Sequence, residues 1–224
     1  NFIMTKTLIL IPSRMAATRL PGKPLLKINN LSIISHVFKR AEESNIGEVV
    51  VATEDQEILN DVLKNGGKAI LTNKNHKTGT DRIFEAYKKL DIKNIDYILN
   101  LQGDEPDISK DDIINLNNFM INHDAELGTL AAKIQDNKML NNKNIVKVIT
   151  DKKLVENNFP IALNFTRDNL SIDSQNIYHH IGIYSYKTSV LEKFVSLDQT
   201  INEKINKLEQ LRALDNKLKI NVAL

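Results

Sequence analysis

The 224-residue sequence has no cysteine. This excludes a disulfide framework and thiolate chemistry, and it suits a reducing compartment. No apolar run is long enough to span a bilayer. The run at residues 7–11 stops at Pro12 and Arg14 and is too short for the apolar region of a signal peptide. Neither charge sign dominates. Thirty Lys and Arg face 28 Asp and Glu, a net charge of +2, so any anion site should be local, and a broad nucleic-acid face is not expected. Internal repeats and low-complexity linkers are absent. With 42% hydrophobic and 26% charged residues, composition is that of an ordinary globular protein. The length suits one α/β domain over residues 1–224 with a small appended subdomain. Met4 reads as the natural start, with Asn1, Phe2 and Ile3 upstream of it.

What is present is an alternation of short apolar runs and amphipathic segments. Strands are expected at 7–11, 48–53, 68–72 and 96–101. Helices are expected at 32–44, with Ser32 as N-cap, at 55–64, closed by Gly66 and Gly67, at 81–90, and at 109–121. This order predicts a mostly parallel central sheet covered by helices on both faces. The second half reads differently. Strands at 129–134, 146–150, 161–166 and 181–186 have fewer helices between them, which suggests sheet edges or an antiparallel insertion. A helix at 203–214 and a strand from 218 close the chain.

Five segments carry candidate chemistry. The loop after the first strand holds Arg14, Arg19 and Lys23 between prolines. Arginine forks and a lysine point charge match phosphate oxygens. The loop lacks the glycines of a GxxxxGK[ST] or GxGxxG phosphate loop, and the bland alternative is a solvated basic surface. Gln102-Gly103-Asp104-Glu105-Pro106 follows a buried strand. Asp104 there can anchor Mg²⁺ that a nucleotide's phosphates complete, or it can simply begin a turn. Thr78, Gly79 and Thr80 stand at a helix start, where hydroxyls and free N–H groups suit a ribose or base edge; ordinary capping is the alternative. His179 and His180 do not read as a zinc site, with five histidines in all and no HExxH pattern. A histidine donating to a substrate carboxylate competes with a structural role. In Leu208-Glu209-Gln210-Leu211-Arg212, Leu208, Leu211 and Leu214 would face the core. Glu209 and Gln210 would then point to solvent or to sugar hydroxyls.

In order along the chain, these motifs resemble those of the 3-deoxy-manno-octulosonate cytidylyltransferases. That family's first loop runs P-A-R-x-x-S-T-R-L-P-G-K-P-L. Pro12, Arg14, Thr18, Arg19, Leu20, Pro21, Gly22, Lys23, Pro24 and Leu25 match it in register. Its Q-G-D-E-P lies intact from Gln102, its H-x-[ST]-G-T-[DE]-R from His76, its H-[IL]-G-I-Y from His180, and its L-E-Q-L-R from Leu208. The resemblance implies a nucleotide-diphospho-sugar-transferase-like fold, a cytoplasmic homodimer, and transfer of CMP from CTP to the octulosonate KDO for lipopolysaccharide synthesis. It implies Mg²⁺ as cofactor, no membrane and no nucleic-acid partner, and a dimerisation and sugar-site subdomain near residues 155–187.

By the same resemblance, Arg14, Lys23 and Asp104 act in catalysis, with Asp104 on the metal. Arg14, Thr18, Arg19, Lys23, Thr78, Gly79, Thr80 and Gln102 bind the nucleotide. Gln102, Arg167, His180, Tyr184, Glu209 and Gln210 surround the sugar acid. The chain departs from the pattern in several places. Ser13 replaces Ala, Met15 an aromatic residue, Ala17 a Ser, and His179 an Arg or Lys. The segment after Arg167 lacks the family's prolines. A C-terminal G-V-D-T-P-E-D-like stretch, whose Asp would be a second metal ligand, is not among the 224 residues, and the natural chain is expected to continue past Leu224. A cytidylyltransferase for another sugar acid, or a nucleotide-binding protein without turnover, are the competing readings.

Overall fold

Strand–helix alternation builds the first half of the chain as expected. The computed structural model describes residues 4–16, 20–104, 107–170 and 175–224. Two compact units divide the chain between Asn117 and Asn118.

The first unit runs β1 (Thr7–Ser13), β2 (Lys27–Ile28), β3 (Leu31–Ser32), α1 (Ile33–Glu43), β4 (Gly47–Thr53), α2 (Gln56–Lys64), β5 (Ala69–Leu71), α3 (Gly79–Leu90), β6 (Tyr97–Leu101) and α4 (Lys110–His123), and the boundary falls within α4. Its sheet has the order β5-β4-β1-β6 and is wholly parallel. Leu10 lies between Val50 and Asn100. Leu8, Ile9, Leu10 and Ile11 are all fully buried, the mark of a parallel strand covered on both faces. The helices are started by local capping. The Ser32 hydroxyl accepts from the Ser35 N–H at 3.2 Å, which turns Ile34, Val37, Phe38 and Ala41 of α1 into the core. The Thr78 hydroxyl accepts from the Asp81 N–H at 3.1 Å, so α3 starts at Gly79, two residues before the expected start.

The second unit continues α4 into β7 (Leu127–Ala132), α5 (Asn137–Leu140), β8 (Lys147–Thr150), β9 (Ala162–Thr166), β10 (Ile177–Lys187), α6 (Thr188–Ser196), α7 (Ile201–Asn206), α8 (Gln210–Asp215) and β11 (Asn221–Ala223). The expected change of character is there. β7 pairs with β10, β10 with β8 and β8 with β9, all antiparallel, while β11 runs parallel to β7. The β7–β10 register shifts between Ile181 and Tyr184. Helix α6 was not anticipated; it buries Val190, Leu191 and Phe194.

The single helix expected over 203–214 is two helices. Lys207 sits between them with φ 53°, in the left-handed region. The Thr200–Glu203 capping box fixes the start of α7. Arg212 Nε and Nη2 then donate to the two Glu203 oxygens at 2.9 and 2.7 Å, with both side chains buried. One continuous helix would set residues nine apart roughly 13 Å apart along its axis and forbid this pair.

Candidate active site

The first unit concentrates the nucleotide candidates at the carboxyl ends of β1 and β6, where open parallel sheets bind ligands. The chain leaves β1 at Ser13 and turns immediately. The Met15 N–H donates to Asp55 Oδ2 at 2.8 Å, and the Gly22 N–H donates to the Met15 carbonyl at 2.9 Å. Gly22 can close this neck because its φ of 80° suits glycine. Arg14 and Lys23 therefore flank the neck, and both line a crevice of about 180 Å³. Thr78, Gly79, Gln102 and Asp104 line it as well. Thr18 and Arg19 lie outside the described residues.

Two glycines shape one wall. A Cβ on Gly103 would stand 2.8 Å from the Pro12 carbonyl oxygen, and one on Gly79 would stand 3.1 Å from Pro12 Cγ. Main chain from three segments thus meets around Pro12 with no room for a side chain. Gly103→Ala is expected to cost about 1–3 kcal/mol of stability and to weaken CTP binding. Thermal unfolding and calorimetry check this, and unchanged values would mean that the wall has slack.

Thr80, also assigned to the nucleotide, is not among the residues that line the crevice. Because Thr78 is the N-cap, Thr80 falls on the inward face of the first turn of α3 and is buried. Residues not singled out for the site take its place. His76, Lys77 and Arg82 all line the crevice. The buried Arg82 donates to Thr72 Oγ1 at 2.6 Å and to the Asn73 carbonyl at 3.1 Å, with Glu54 at 3.8 Å. Burial lowers its pKa against the pull of Glu54, and the Arg14 charge lowers it further. His76 Nε2 lies 2.7 Å from Glu85 Oε1. Burial would raise the Glu85 carboxyl, but the Asn73 N–H, Lys89 and His76 outweigh it and hold it down at about 2. The only sequence signal for these residues was their place in the segment that starts at His76.

Cations thus surround the crevice, and Asp104 is an exposed carboxylate at its lining. Among the described residues no group of three His, Cys, Asp or Glu side chains is assembled for a metal. One hard oxygen donor beside a phosphate-binding wall fits Mg²⁺, which commonly takes one or two carboxylates and completes its shell with phosphates and water. It does not fit zinc.

The second unit brings together most of the sugar-acid candidates. Arg167 Nη1 donates to the Asn206 carbonyl at 3.1 Å, which holds Arg167 against the α7–α8 turn. Its own carbonyl accepts from the fully buried Lys147 Nζ at 3.0 Å. Burial lowers the Lys147 pKa, partly offset by Asp168. The His180 ring lies 5.4 Å from that of Tyr184 and edge-on to Phe165 at 5.0 Å. Burial, with His179 adding, pushes His180 down to about 3. Burial raises the Tyr184 phenol well above its usual value, with Tyr186 and Glu209 adding to the effect. Glu209 and Gln210 open α8 half-buried. Leu208 and Leu211 are buried as expected, whereas Leu214 is only half-buried.

A cytidylyltransferase family profile matches residues 8–220. A 3-deoxy-manno-octulosonate cytidylyltransferase of Rhodopseudomonas palustris (strain BisB18) is 44% identical over 225 residues, covering 98% of this chain and 89% of that protein. The protein of the same name from Thermodesulfovibrio yellowstonii is 44% identical over 234 residues, covering 97% and 89%. Among solved structures, a CMP:2-keto-3-deoxy-manno-octonic acid synthetase complexed with CTP superposes with a TM-score of 0.87 at 34% identity, covering 97% of this chain and 89% of that one.

Proposed function

Because this chain belongs to the cytidylyltransferase family, as its 44% identity to 3-deoxy-manno-octulosonate cytidylyltransferases shows, we propose that it transfers CMP from CTP to the anomeric hydroxyl of 3-deoxy-D-manno-octulosonate (KDO), releasing pyrophosphate. The observation that carries this reading is the crevice in which Arg14 and Lys23 converge with Gln102 and Asp104. A triphosphate needs that concentration of fixed charge, and the related synthetase of known structure holds CTP.

The reaction is an in-line displacement. The KDO hydroxyl oxygen forms a bond to the α-phosphorus and gives up its proton to solvent water, while the bond from that phosphorus to the bridging oxygen breaks and the electron pair leaves with pyrophosphate. Arg14 and Lys23 neutralise the leaving pyrophosphate. The wall around Pro12, Gly79 and Gly103 orients the nucleotide, and alignment of the reactants supplies much of the rate. Bound by Asp104 and the nucleotide phosphates, Mg²⁺ would neutralise charge developing on the α-phosphate. Arg167, His180, Tyr184, Glu209 and Gln210 are assigned to the sugar acid. The same reading makes the enzyme a cytoplasmic homodimer that supplies lipopolysaccharide assembly. No helix of the described residues is long and apolar enough to cross a membrane.

The deciding experiment is pyrophosphate release from CTP, with and without Mg²⁺, using KDO and sialic acid as parallel acceptors. Release that requires both KDO and the metal is the expected result. CTP binding without release in the presence of KDO would overturn the assignment.

A further inference from the structure

Thr129 has no exposed surface, and its hydroxyl oxygen lies 2.6 Å from the Ile183 carbonyl and 3.2 Å from the Ile181 carbonyl. Both carbonyls can face one hydroxyl because the register of β10 shifts between Ile181 and Tyr184. Carbonyls only accept, so the single hydroxyl proton is committed to them. His180 Nε2 stands 2.9 Å from the same oxygen. It therefore meets a lone pair, and Nε2 must carry the proton. Burial, with His179 adding, keeps the ring neutral, with a pKa of about 3. A neutral ring protonated at Nε2 leaves Nδ1 as an acceptor. Such a nitrogen repels a carboxylate and attracts a hydroxyl.

We propose that Thr129 is a positioning residue for sugar-acid recognition: it holds His180 as the Nε2–H tautomer, so that Nδ1 accepts from a hydroxyl of the sugar acid instead of donating to its carboxylate. This rests on the assignment of His180 to the sugar acid made above. It takes the place of the donor role that competed with a structural one in the sequence, and it leaves the carboxylate to a cation such as Arg167.

Ring ¹⁵N chemical shifts of His180 in the unmodified protein test the tautomer directly. A protonated Nε2 beside a bare Nδ1 is expected. A protonated Nδ1, or an imidazolium at neutral pH, overturns the proposal. Kinetics test the consequence. Thr129→Val should raise KM for KDO about tenfold, with KM for CTP and kcat little changed, and Thr129→Ser should restore it. A KDO analogue lacking the contacted hydroxyl should be used equally well by wild type and by Thr129→Val. An unchanged KM for KDO in Thr129→Val sinks the positioning role. A wild-type enzyme that binds CTP but does not use KDO sinks the proposed function instead, while the ring shifts still decide the tautomer.

Discussion

Asp104→Asn should lose turnover on the order of 10²–10³-fold, while CTP affinity falls far less. The substitution keeps size and hydrogen-bonding capacity and removes only the negative charge. Asp104 is exposed, so the fold loses nothing by the change. Nucleotide affinity resides mostly elsewhere. In the proposed function Arg14 and Lys23 hold the phosphates and the glycine-lined wall around Pro12 receives the rest of the nucleotide. What disappears is the carboxylate that, among the described lining residues, is the one proposed to hold a divalent cation against those phosphates. Steady-state kinetics across a Mg²⁺ titration, alongside calorimetry with CTP, separate the two effects. The Mg²⁺ concentration for half-maximal rate should rise as kcat falls. Preserved turnover at ordinary Mg²⁺ would remove Asp104 from the metal assignment.

The largest loss of stability should follow from breaking the Glu203–Arg212 pair. Both side chains are buried, and the guanidinium also stacks 4.8 Å from the Phe194 ring centroid. Glu203 Oε1 additionally accepts from the Thr200 N–H at 3.0 Å, so one carboxylate serves the cap of α7 and the clamp to α8. Arg212→Met leaves that carboxylate without its counter-charge and should cost about 3–5 kcal/mol. For a chain of this length each kcal/mol lowers the unfolding midpoint by about 2–4 °C, so a fall of roughly 6–20 °C is expected. Pairing the change with Glu203→Leu should recover much of the loss, because the double variant buries no lone charge. Thermal unfolding of the single and double variants measures both. A midpoint within a degree of wild type for Arg212→Met would mean that the pair holds nothing.

How much was legible beforehand follows from how local each determinant is. The parallel strands could be read because Leu8 to Ile11 form an unbroken apolar run, and the start of α1 because Ser32 caps within three residues of itself, whereas the cap at Thr78 starts α3 two residues earlier than its apolar pattern suggested. The α7–α8 break could not. Leu208, Leu211 and Leu214 carry a helical period that starts directly after it, and the residue that turns the chain is Lys207, which carries no glycine-like signal. In the crevice, Arg14, Lys23 and Asp104 were found because loops at strand ends are where ligands bind. Thr80 is buried away from the crevice lining because the N-cap sets the phase of the first turn, so neighbours along the chain can face different ways. Arg82 faces Glu54, which lies between β4 and α2, and His76 faces Glu85, which lies across the start of α3 from it. A linear reading has no means of pairing them.

The hydrogen-bonded neck between Met15 and Gly22 separates distance along the chain from distance in space. Arg14 and Lys23 each stand one residue outside it. Their spacing is therefore held by the main-chain hydrogen bond from Gly22 to Met15, with Met15 itself tied to Asp55, and not by the length of what lies between. Doubling a flexible loop adds only about 0.6 kcal/mol of closure entropy. A difference in length between Met15 and Gly22 in a related sequence would accordingly leave the separation of the two cations unchanged, so an alignment gap between them is no argument against the proposed phosphate site.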